Sequence, residues 1–228
     1  MFVKICGITR EADALLAVAM GADAVGFNFV AGSRRQIAPG IARDIARRLP
    51  AEILTVGIFR DEAPERVVDI VHQAGLRSAQ LHGRETVEAT RYVKGHVPVV
   101  IKAFGDGDPA VARAAEFGAD AVLLDAATGG SGRVFDWDHV GDLPDELRVV
   151  LAGGLHPDNV ADAIRTVRPW GVDVASGVEA DRGEPGQKDP RKLKAFVERA
   201  KRAAAEVLDE GVEVEHGPYD WQTDGGRW

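Results

Sequence analysis

The chain has 228 residues, which is enough for one large α/β domain or two small ones. Its formal net charge of −8 argues against binding to nucleic acids or anionic membranes, because no basic field dominates. One cysteine excludes an intramolecular disulfide, and the sequence shows neither a signal-peptide pattern nor an apolar run long enough to cross a bilayer. We therefore expect a soluble cytoplasmic protein.

Short β-rich runs alternate with helical patterns along most of the chain. Most of these runs are apolar on both faces, as expected for parallel strands that helices cover. Between them, Thr9 is predicted to cap the first helix, and Asp108-Pro109 and Asp189-Pro190 each fit a cap followed by proline. The predicted strands are Val3–Cys6, Ala24–Phe29, Leu54–Phe59, Ser78–Leu81, Val97–Ala103, Ala121–Asp125, Val149–Ala152 and Gly171–Ala175.

Eight strand–helix units in one short chain predict a single (β/α)8 barrel, the TIM-barrel fold, over residues 1–205. An internal repeat supports this architecture. Gly21–Val25 and Gly118–Val122 have the same five residues and lead into strands two and six, half a barrel apart. An open, doubly wound parallel sheet is the alternative.

The last segment, residues 206–228, differs from the rest of the chain. It is acidic, contains glycine, and holds two of the four tryptophans, Trp221 and Trp228. No ninth unit is visible in its sequence. We predict a loosely ordered C-terminal extension, and a segment that docks its tryptophans on the barrel or on a second subunit is the alternative.

Active-site residues of such a barrel lie on the loops that follow the strands. Cys6 ends the first predicted strand and Asp125 ends the sixth, so both are predicted at the same rim. Alternation along strand one places Lys4 one layer below Cys6, and Asp173 on neighbouring strand eight is its predicted partner in a buried ion pair. We expect the Lys4 ammonium also to stabilise a thiolate at Cys6, which would make Cys6 a competent proton acceptor.

Two other strand ends offer groups that can bind a substrate. Adjacent arginines, Arg34 and Arg35, follow strand two and can hold a carboxylate by paired hydrogen bonds, with simple surface charges as the alternative. His82 follows strand four and either contacts substrate or caps the barrel. The six histidines show no metal-ligand spacing, so we predict no metal.

Glycine-rich segments follow three consecutive strands: Gly129–Gly132 after strand six, Gly153-Gly154 after strand seven and Ser176-Gly177 after strand eight. The backbone N–H groups of such loops bind phosphate in many barrels. The predicted phosphate contacts are Gly130, Gly132, Gly153, Gly154, Ser176 and Gly177. We therefore expect a small phosphorylated substrate, bound by a monomer or homodimer.

These segments, and the order in which they occur along the chain, resemble the sequence motifs of the phosphoribosylanthranilate isomerases. The resemblance extends from residue 3 to about residue 200. It rests on Lys4–Thr9, Gly21–Phe27, Gln80–Gly83, Leu123–Asp125, Gly129–Gly132 with Phe135–Trp137, Leu151–Leu155 with Asn159-Val160, and Gly171–Val174 with Ser176–Glu179 and Lys188-Asp189.

The resemblance implies an Amadori rearrangement of N-(5-phosphoribosyl)anthranilate to 1-(2-carboxyphenylamino)-1-deoxy-D-ribulose 5-phosphate in tryptophan biosynthesis, without a cofactor. Asp125 matches the general acid that protonates the ribose ring oxygen. Cys6 matches the general base that removes the C2 proton, and Arg35 matches the arginine that holds the anthranilate carboxylate. The glycine-rich loops match the phosphate cradle.

Three places depart from the family pattern: Arg60-Asp61 where valine and asparagine are usual, Ala175 where serine is usual, and Gln36 where a tyrosine often follows the arginine. Two other functions therefore stay open. One is another phosphate-binding barrel enzyme, such as an indole-glycerol-phosphate synthase or a lyase, with Lys102 on strand five as the candidate lysine. The other is a non-catalytic metabolite-binding paralogue on the same barrel.

Overall fold

The computed structural model describes residues 1–105, 107–125 and 147–209. Within them, eight parallel strands close into a barrel in chain order, and β1 pairs with both β2 and β8. The predicted (β/α)8 barrel is confirmed, and the open sheet is excluded. The strands are β1 (Phe2–Ile5), β2 (Ala24–Asn28), β3 (Leu54–Phe59), β4 (Ser78–Leu81), β5 (Val99–Gly105), β6 (Ala121–Asp125), β7 (Val149–Ala152) and β8 (Gly171–Val174).

Helices cover the outside of the barrel. The α-helices are α1 (Glu11–Ala19), α2 (Pro39–Ala46), α3 (Pro64–Ala74), α4 (Val87–Lys94), α5 (Val160–Val167) and α6 (Pro190–Asp209), and 3₁₀ helices span Pro109–Phe117 and Ser176–Val178. Helix α6 continues past residue 205, and residues 210–228 lie outside the described residues. The division of the chain at residue 205 and the role of the tail therefore stay predictions.

Local sequence signals explain several helix ends. Asp108 and Asp189 each stand before a proline and accept backbone hydrogen bonds of 2.8–3.0 Å from the first helical turn, as predicted. The predicted cap at Thr9 is wrong, because α1 begins two residues later. The residue before α1, Arg10, makes no capping hydrogen bond and binds the Asp13 carboxylate instead.

The aspartate of the five-residue repeat makes the same hydrogen bonds in both halves of the barrel. The Asp23 carboxylate accepts a hydrogen bond from the Val3 N–H at 2.8 Å, and the Asp23 N–H donates to the Val3 carbonyl at 2.9 Å. Asp120 makes the same two bonds with Val100, at 2.7 and 2.8 Å. Each aspartate therefore ties the start of its own strand to the preceding strand, at the amino-terminal end of the barrel.

The barrel interior combines an apolar base with a few buried polar groups. Its apolar side chains are Phe2, Ala24, Leu54, Val56, Val99, Ile101, Ala103, Ala121, Leu123, Val150 and Ala152. Lys4 and Asp173 are buried on neighbouring strands β1 and β8, and Ser78 and Gln80 are buried on β4. Burying a polar group costs free energy unless it is paired. These groups therefore indicate a functional site at the end of the barrel above them.

Candidate active site

A cavity of about 740 Å³ opens at the rim formed by the carboxyl ends of the strands. That volume fits a small-molecule ligand. Three of the predicted site residues, Arg35, His82 and Asp125, line it. The predicted residues outside its lining are Cys6, Gly153, Gly154, Ser176 and Gly177, and Gly130 and Gly132 lie outside the described residues.

Asp125 and His82 are joined on the wall of this cavity. Nε2 of His82, which follows β4, lies 3.1 Å from Oδ2 of Asp125 at the end of β6. On its other side, Nδ1 of His82 lies 2.9 Å from Nε2 of the buried Gln80. Because an amide nitrogen only donates, this orientation of Gln80 favours the tautomer in which Nδ1 accepts and the imidazole proton is on Nε2, facing Asp125. The predicted general acid thus has a hydrogen-bond donor fixed beside it.

Lys102 holds the segment around His82 from the helix side of β5. Its ammonium donates to the carbonyls of Leu81 and Gly83, at 3.3 and 2.8 Å, on both sides of His82. It also pairs with the buried Glu85 at 2.9 Å. Since its strand neighbours fill the barrel interior, Lys102 does not line the cavity. This position argues against the alternative enzyme that needs a catalytic lysine there.

Cys6 follows β1 directly and is half-buried. Its backbone N–H donates to the Val174 carbonyl at 2.8 Å, which continues the β1–β8 pairing by one residue. A methyl group placed on Gly26 would stand 3.2 Å from the Cys6 sulfur and 2.9 Å from Cδ1 of Ile58. Ile58 lines the cavity. Glycine at position 26 therefore leaves room for the thiol next to the cavity wall.

The Lys4 ammonium favours the Cys6 thiolate in the expected direction, but burial of the thiol outweighs it. Burial raises the pKa of the Cys6 thiol, and the negative charge of Asp173 adds to that effect. The ammonium groups of Lys4 and Lys188 act in the opposite direction and do not outweigh it, so the pKa stays above its ordinary value. Without a ligand, the thiol form therefore dominates at neutral pH.

The predicted ion pair between Lys4 and Asp173 is confirmed. Nζ of Lys4 lies 2.9 Å from Oδ1 of Asp173, directly across the β1–β8 pairing, and the lysine is fully buried. Burial alone would lower the pKa of Lys4, but the combined attraction of Asp173 and Cys6 raises it above its ordinary value. Lys4 is therefore a permanent positive charge beneath the Cys6 sulfur.

Lys188 is a buried cation with no role predicted from the sequence. Its ammonium donates to the carbonyls of Cys6 and Ala175, at 2.7 and 3.0 Å, and so joins the loops that follow β1 and β8. Burial lowers the pKa of Lys188, and the attraction of Glu179 and Cys6 offsets part of that effect. Nothing in the local sequence signals that this side chain turns inward.

Arg35 is held in place by Glu179, a residue that also had no role predicted from the sequence. One carboxylate oxygen of Glu179 accepts from Nε of Arg35, and the other accepts from Arg34 at 2.8 Å. Burial raises the pKa of Glu179, but the Arg35 hydrogen bond and the charges of Lys188, Arg35 and Arg34 together lower it. Arg35 also packs on Gly7, where a side chain would collide with its Cδ atom. The loops after β1, β2 and β8 thus meet at this ion pair.

The glycine segments after β7 and β8 pack against each other. Gly153 and Gly154 have φ angles of 85° and 65°, a region that favours glycine. A side chain at Gly177 would collide with the carbonyl oxygen of Leu155 in the loop after β7. Two of the three predicted phosphate loops therefore lie side by side. The third, after β6, lies outside the described residues.

Metal ligands are not grouped in the part of the chain that the structure describes, where no cluster of three or more histidine, cysteine, aspartate or glutamate residues could hold an ion. Within the same residues, no helix is long and apolar enough to cross a membrane. Charged groups form ion pairs instead, such as Lys4–Asp173 in the barrel interior and Arg35–Glu179 at the rim.

Residues 3–199 match the model of a protein family described as N-(5'-phosphoribosyl)anthranilate (PRA) isomerase. The chain belongs to the PRA isomerase family. A relative of that name from Desulforudis audaxviator is 50% identical to it over 208 residues, which make up 88% of this chain and 98% of the relative.

Solved structures of PRA isomerases have the same fold. One, in complex with reduced 1-(o-carboxyphenylamino)-1-deoxyribulose 5-phosphate, is 42% identical to this chain, with a TM-score of 0.78 over 89% of this chain and 99% of the other. Another shows monomers of a dimeric PRA isomerase from Thermotoga maritima. It is 41% identical, with a TM-score of 0.77 over 88% of this chain and 98% of the other.

The residues expected to differ from the family pattern follow strands of the barrel. Arg60 and Asp61 follow β3, and both line the cavity. Asp61 has a φ angle of 53°, an unusual value for a residue with a side chain. Gln36 accepts a hydrogen bond from the Gly32 N–H at 3.2 Å, and Ala175 follows β8. These substitutions leave the His82–Asp125 pair in place.

Proposed function

We propose that this PRA isomerase family member catalyses the Amadori rearrangement of N-(5-phosphoribosyl)anthranilate to 1-(2-carboxyphenylamino)-1-deoxy-D-ribulose 5-phosphate, a step of tryptophan biosynthesis. The observation that carries the proposal is the His82–Asp125 hydrogen bond, which shares one rim cavity with Arg35. The reduced deoxyribulose phosphate bound to a relative supports a ligand of the same class.

In the first step, Asp125 gives a proton to the ribose ring oxygen. The bond between C1 and that oxygen breaks, and the lone pair of the anthranilate nitrogen forms a C1=N iminium ion. An aspartate of ordinary pKa, about 4, is ionised at neutral pH, and the negative phosphate and carboxylate of the substrate help it to keep its proton. Once the proton has left, the Nε2–H of His82 stabilises the Asp125 carboxylate.

In the second step, the Cys6 thiol first gives its proton to solvent, and the resulting thiolate removes the proton from C2. The electrons of the C2–H bond form a C1=C2 double bond, and the C1=N pair returns to nitrogen, which gives an enolamine. Proton transfer from the C2 hydroxyl to C1 then gives the ketone. Solvent returns a proton to Asp125, and Cys6 is again a thiol because it carries the proton taken from C2. The positive iminium ion and the Lys4 ammonium both favour the thiolate at the moment it is needed.

The substrate's two anions are proposed to bind on opposite sides of the reacting carbons. Arg35 holds the anthranilate carboxylate, oriented by its ion pair with Glu179. The backbone N–H groups of the glycine-rich loops hold the phosphate. The proposed phosphate contacts are Gly130, Gly132, Gly153, Gly154, Ser176 and Gly177.

A turnover assay of the wild-type protein with freshly generated N-(5-phosphoribosyl)anthranilate tests this proposal. We expect the substrate's fluorescence to disappear at a rate proportional to protein concentration, without added metal or cofactor. A folded protein that binds the reduced product analogue but does not accelerate this loss would instead be the non-catalytic paralogue.

The Cys6 thiol is expected to titrate above its ordinary range. Its pKa is raised in the folded protein, so the alkylation rate with iodoacetamide should keep rising with pH beyond about 8.5, the ordinary cysteine value. Because the chain has one cysteine, all labelling reports Cys6. The control is the same protein in denaturant, and equal midpoints for the folded and unfolded chains would contradict the raised pKa.

We infer further that the protein works in the cytoplasm on a freely diffusing phosphorylated metabolite, as a monomer or homodimer. The net charge of −8 supports an absence of nucleic-acid and membrane partners. A dimeric relative supports the homodimer as one of the two possible active forms. Light scattering across a concentration series is the measurement that decides between monomer and dimer.

A further inference from the structure

Gln80 carries a buried polar atom that the fold leaves without a partner. The side chain is 1% exposed, and its Nε2 donates to Nδ1 of His82 at 2.9 Å. Its Oε1 has no hydrogen-bond partner among the described residues. Buried carbonyl oxygens are almost always paired, because an unpaired one loses its hydration and gains nothing in return.

The neighbours of Gln80 on the adjacent strands are apolar. In the strand register it stands between Ile58 of β3 and Ile101 of β5. An apolar side chain of similar size would pack beside these isoleucines and would leave no carbonyl unpaired. A residue that breaks a rule of stable packing in this way often serves function.

The hydrogen bond from Gln80 decides which nitrogen of His82 carries the proton. With the amide nitrogen as donor, Nδ1 accepts, which favours the tautomer whose proton is on Nε2 and points at Oδ2 of Asp125. Oδ2 is thereby an acceptor, so an acidic proton on Asp125 belongs on Oδ1. With the other tautomer, Nε2 would accept, and the Asp125 proton would be held on Oδ2 by that hydrogen bond.

We propose that Gln80 is a positioning residue, which fixes the Nε2–H tautomer of His82 and so keeps the transferable proton of Asp125 on Oδ1. This inference rests on the proposed function, in which Asp125 is the general acid. Gln80 does not line the cavity and would act through His82. Its contribution to catalysis comes at the expense of an unpaired carbonyl in the barrel interior.

The first test replaces Gln80 by methionine, which has similar length but no donor. We expect kcat to fall about 10- to 100-fold, the size of effect seen when a partner that orients a functional histidine is lost. KM should stay near the wild-type value, and the midpoint of thermal unfolding should be unchanged or higher because the unpaired carbonyl is gone. Unchanged kcat in a folded variant would overturn the proposal, as would equal losses of kcat and stability.

Ser78→Ala is the matched control. Ser78 lies two residues earlier on the same face of β4 and also has a buried hydroxyl oxygen without a partner among the described residues. It does not contact His82 through any described hydrogen bond. We expect Ser78→Ala to keep the wild-type kcat, so that a loss confined to Gln80→Met identifies the link through His82.

The second test reads the tautomer without any turnover. In protein labelled with ¹⁵N-histidine, the His82 signals, assigned by their loss in His82→Asn, should show a protonated Nε2 and an unprotonated Nδ1. Gln80→Glu, which offers only acceptors, should move the proton to Nδ1. A protonated Nδ1 in the neutral wild-type ring would overturn the proposal. Because this readout needs no catalysis, a failure of the proposed isomerase activity would be seen separately, in the turnover assay.

Discussion

Replacing Asp125 by asparagine is expected to lower kcat of the isomerisation by about 10²- to 10⁴-fold, the usual contribution of a general acid. Asparagine keeps the size of the side chain and can still accept from His82, but it has no acidic proton for the ribose ring oxygen. Binding of the reduced product analogue should change little, because the proposed anion contacts are made by other residues. Steady-state kinetics and calorimetric titration together separate the two effects.

Asp120→Asn is the matched control for this variant. It makes the same substitution at the opposite end of β6, where the carboxylate binds Lys94 and the Val100 N–H. We expect Asp120→Asn to lose thermal stability and to keep kcat. If both variants lost activity in proportion to stability, Asp125 would have a structural role and the acid would have to be sought elsewhere.

Replacing Lys4 by methionine is expected to lower the free energy of unfolding by about 3–5 kcal/mol, because it leaves the Asp173 carboxylate buried without its partner. Urea unfolding measures this loss. Lys4 and Lys188 both lower the pKa of the Cys6 thiol, and Lys4 has the larger effect. Removing Lys4 should therefore raise this pKa further and slow alkylation at neutral pH.

The double variant Lys4→Met with Asp173→Val separates stability from chemistry. Replacing both members of a buried ion pair by apolar residues often restores stability. The influence of Lys4 on the thiol exceeds that of Asp173, so the double variant should regain stability while Cys6 stays harder to ionise than in the wild type. A Lys4→Met protein as stable as the wild type would contradict this account of the pair.

Much of the fold could be predicted because it depends on local patterns. Period-two alternation and closure of eight strands were enough to pair Lys4 with Asp173 across 169 residues of sequence. The Thr9 prediction failed because capping depends on where the chain actually enters the helix, and Arg10 bound Asp13 instead. Four strands have the predicted bounds, and the ends of the other four differ by one or two residues, because ladder hydrogen bonds and sequence pattern need not stop at the same position.

The site was less predictable because its groups depend on tertiary burial. The sequence placed a lysine beneath Cys6 but could not weigh burial of the thiol against that charge, and burial dominates. Glu179 and Lys188 turn inward only because the loop after β8 folds back over the loops after β1 and β2. The unpaired carbonyl of Gln80 becomes visible only once its neighbours on β3 and β5 are known.

The central claim is that Cys6 takes the C2 proton while Asp125 supplies the proton for ring opening. The most direct measurement is turnover of N-(5-phosphoribosyl)anthranilate by the wild type and by Cys6→Ser, followed as loss of substrate fluorescence. A serine hydroxyl is a far weaker acid than a thiol, so the account predicts that kcat falls by about 10²-fold or more while the fold and the affinity for the reduced product analogue are retained. Cys6→Ser with wild-type kcat would contradict the claim and would require another base at the rim.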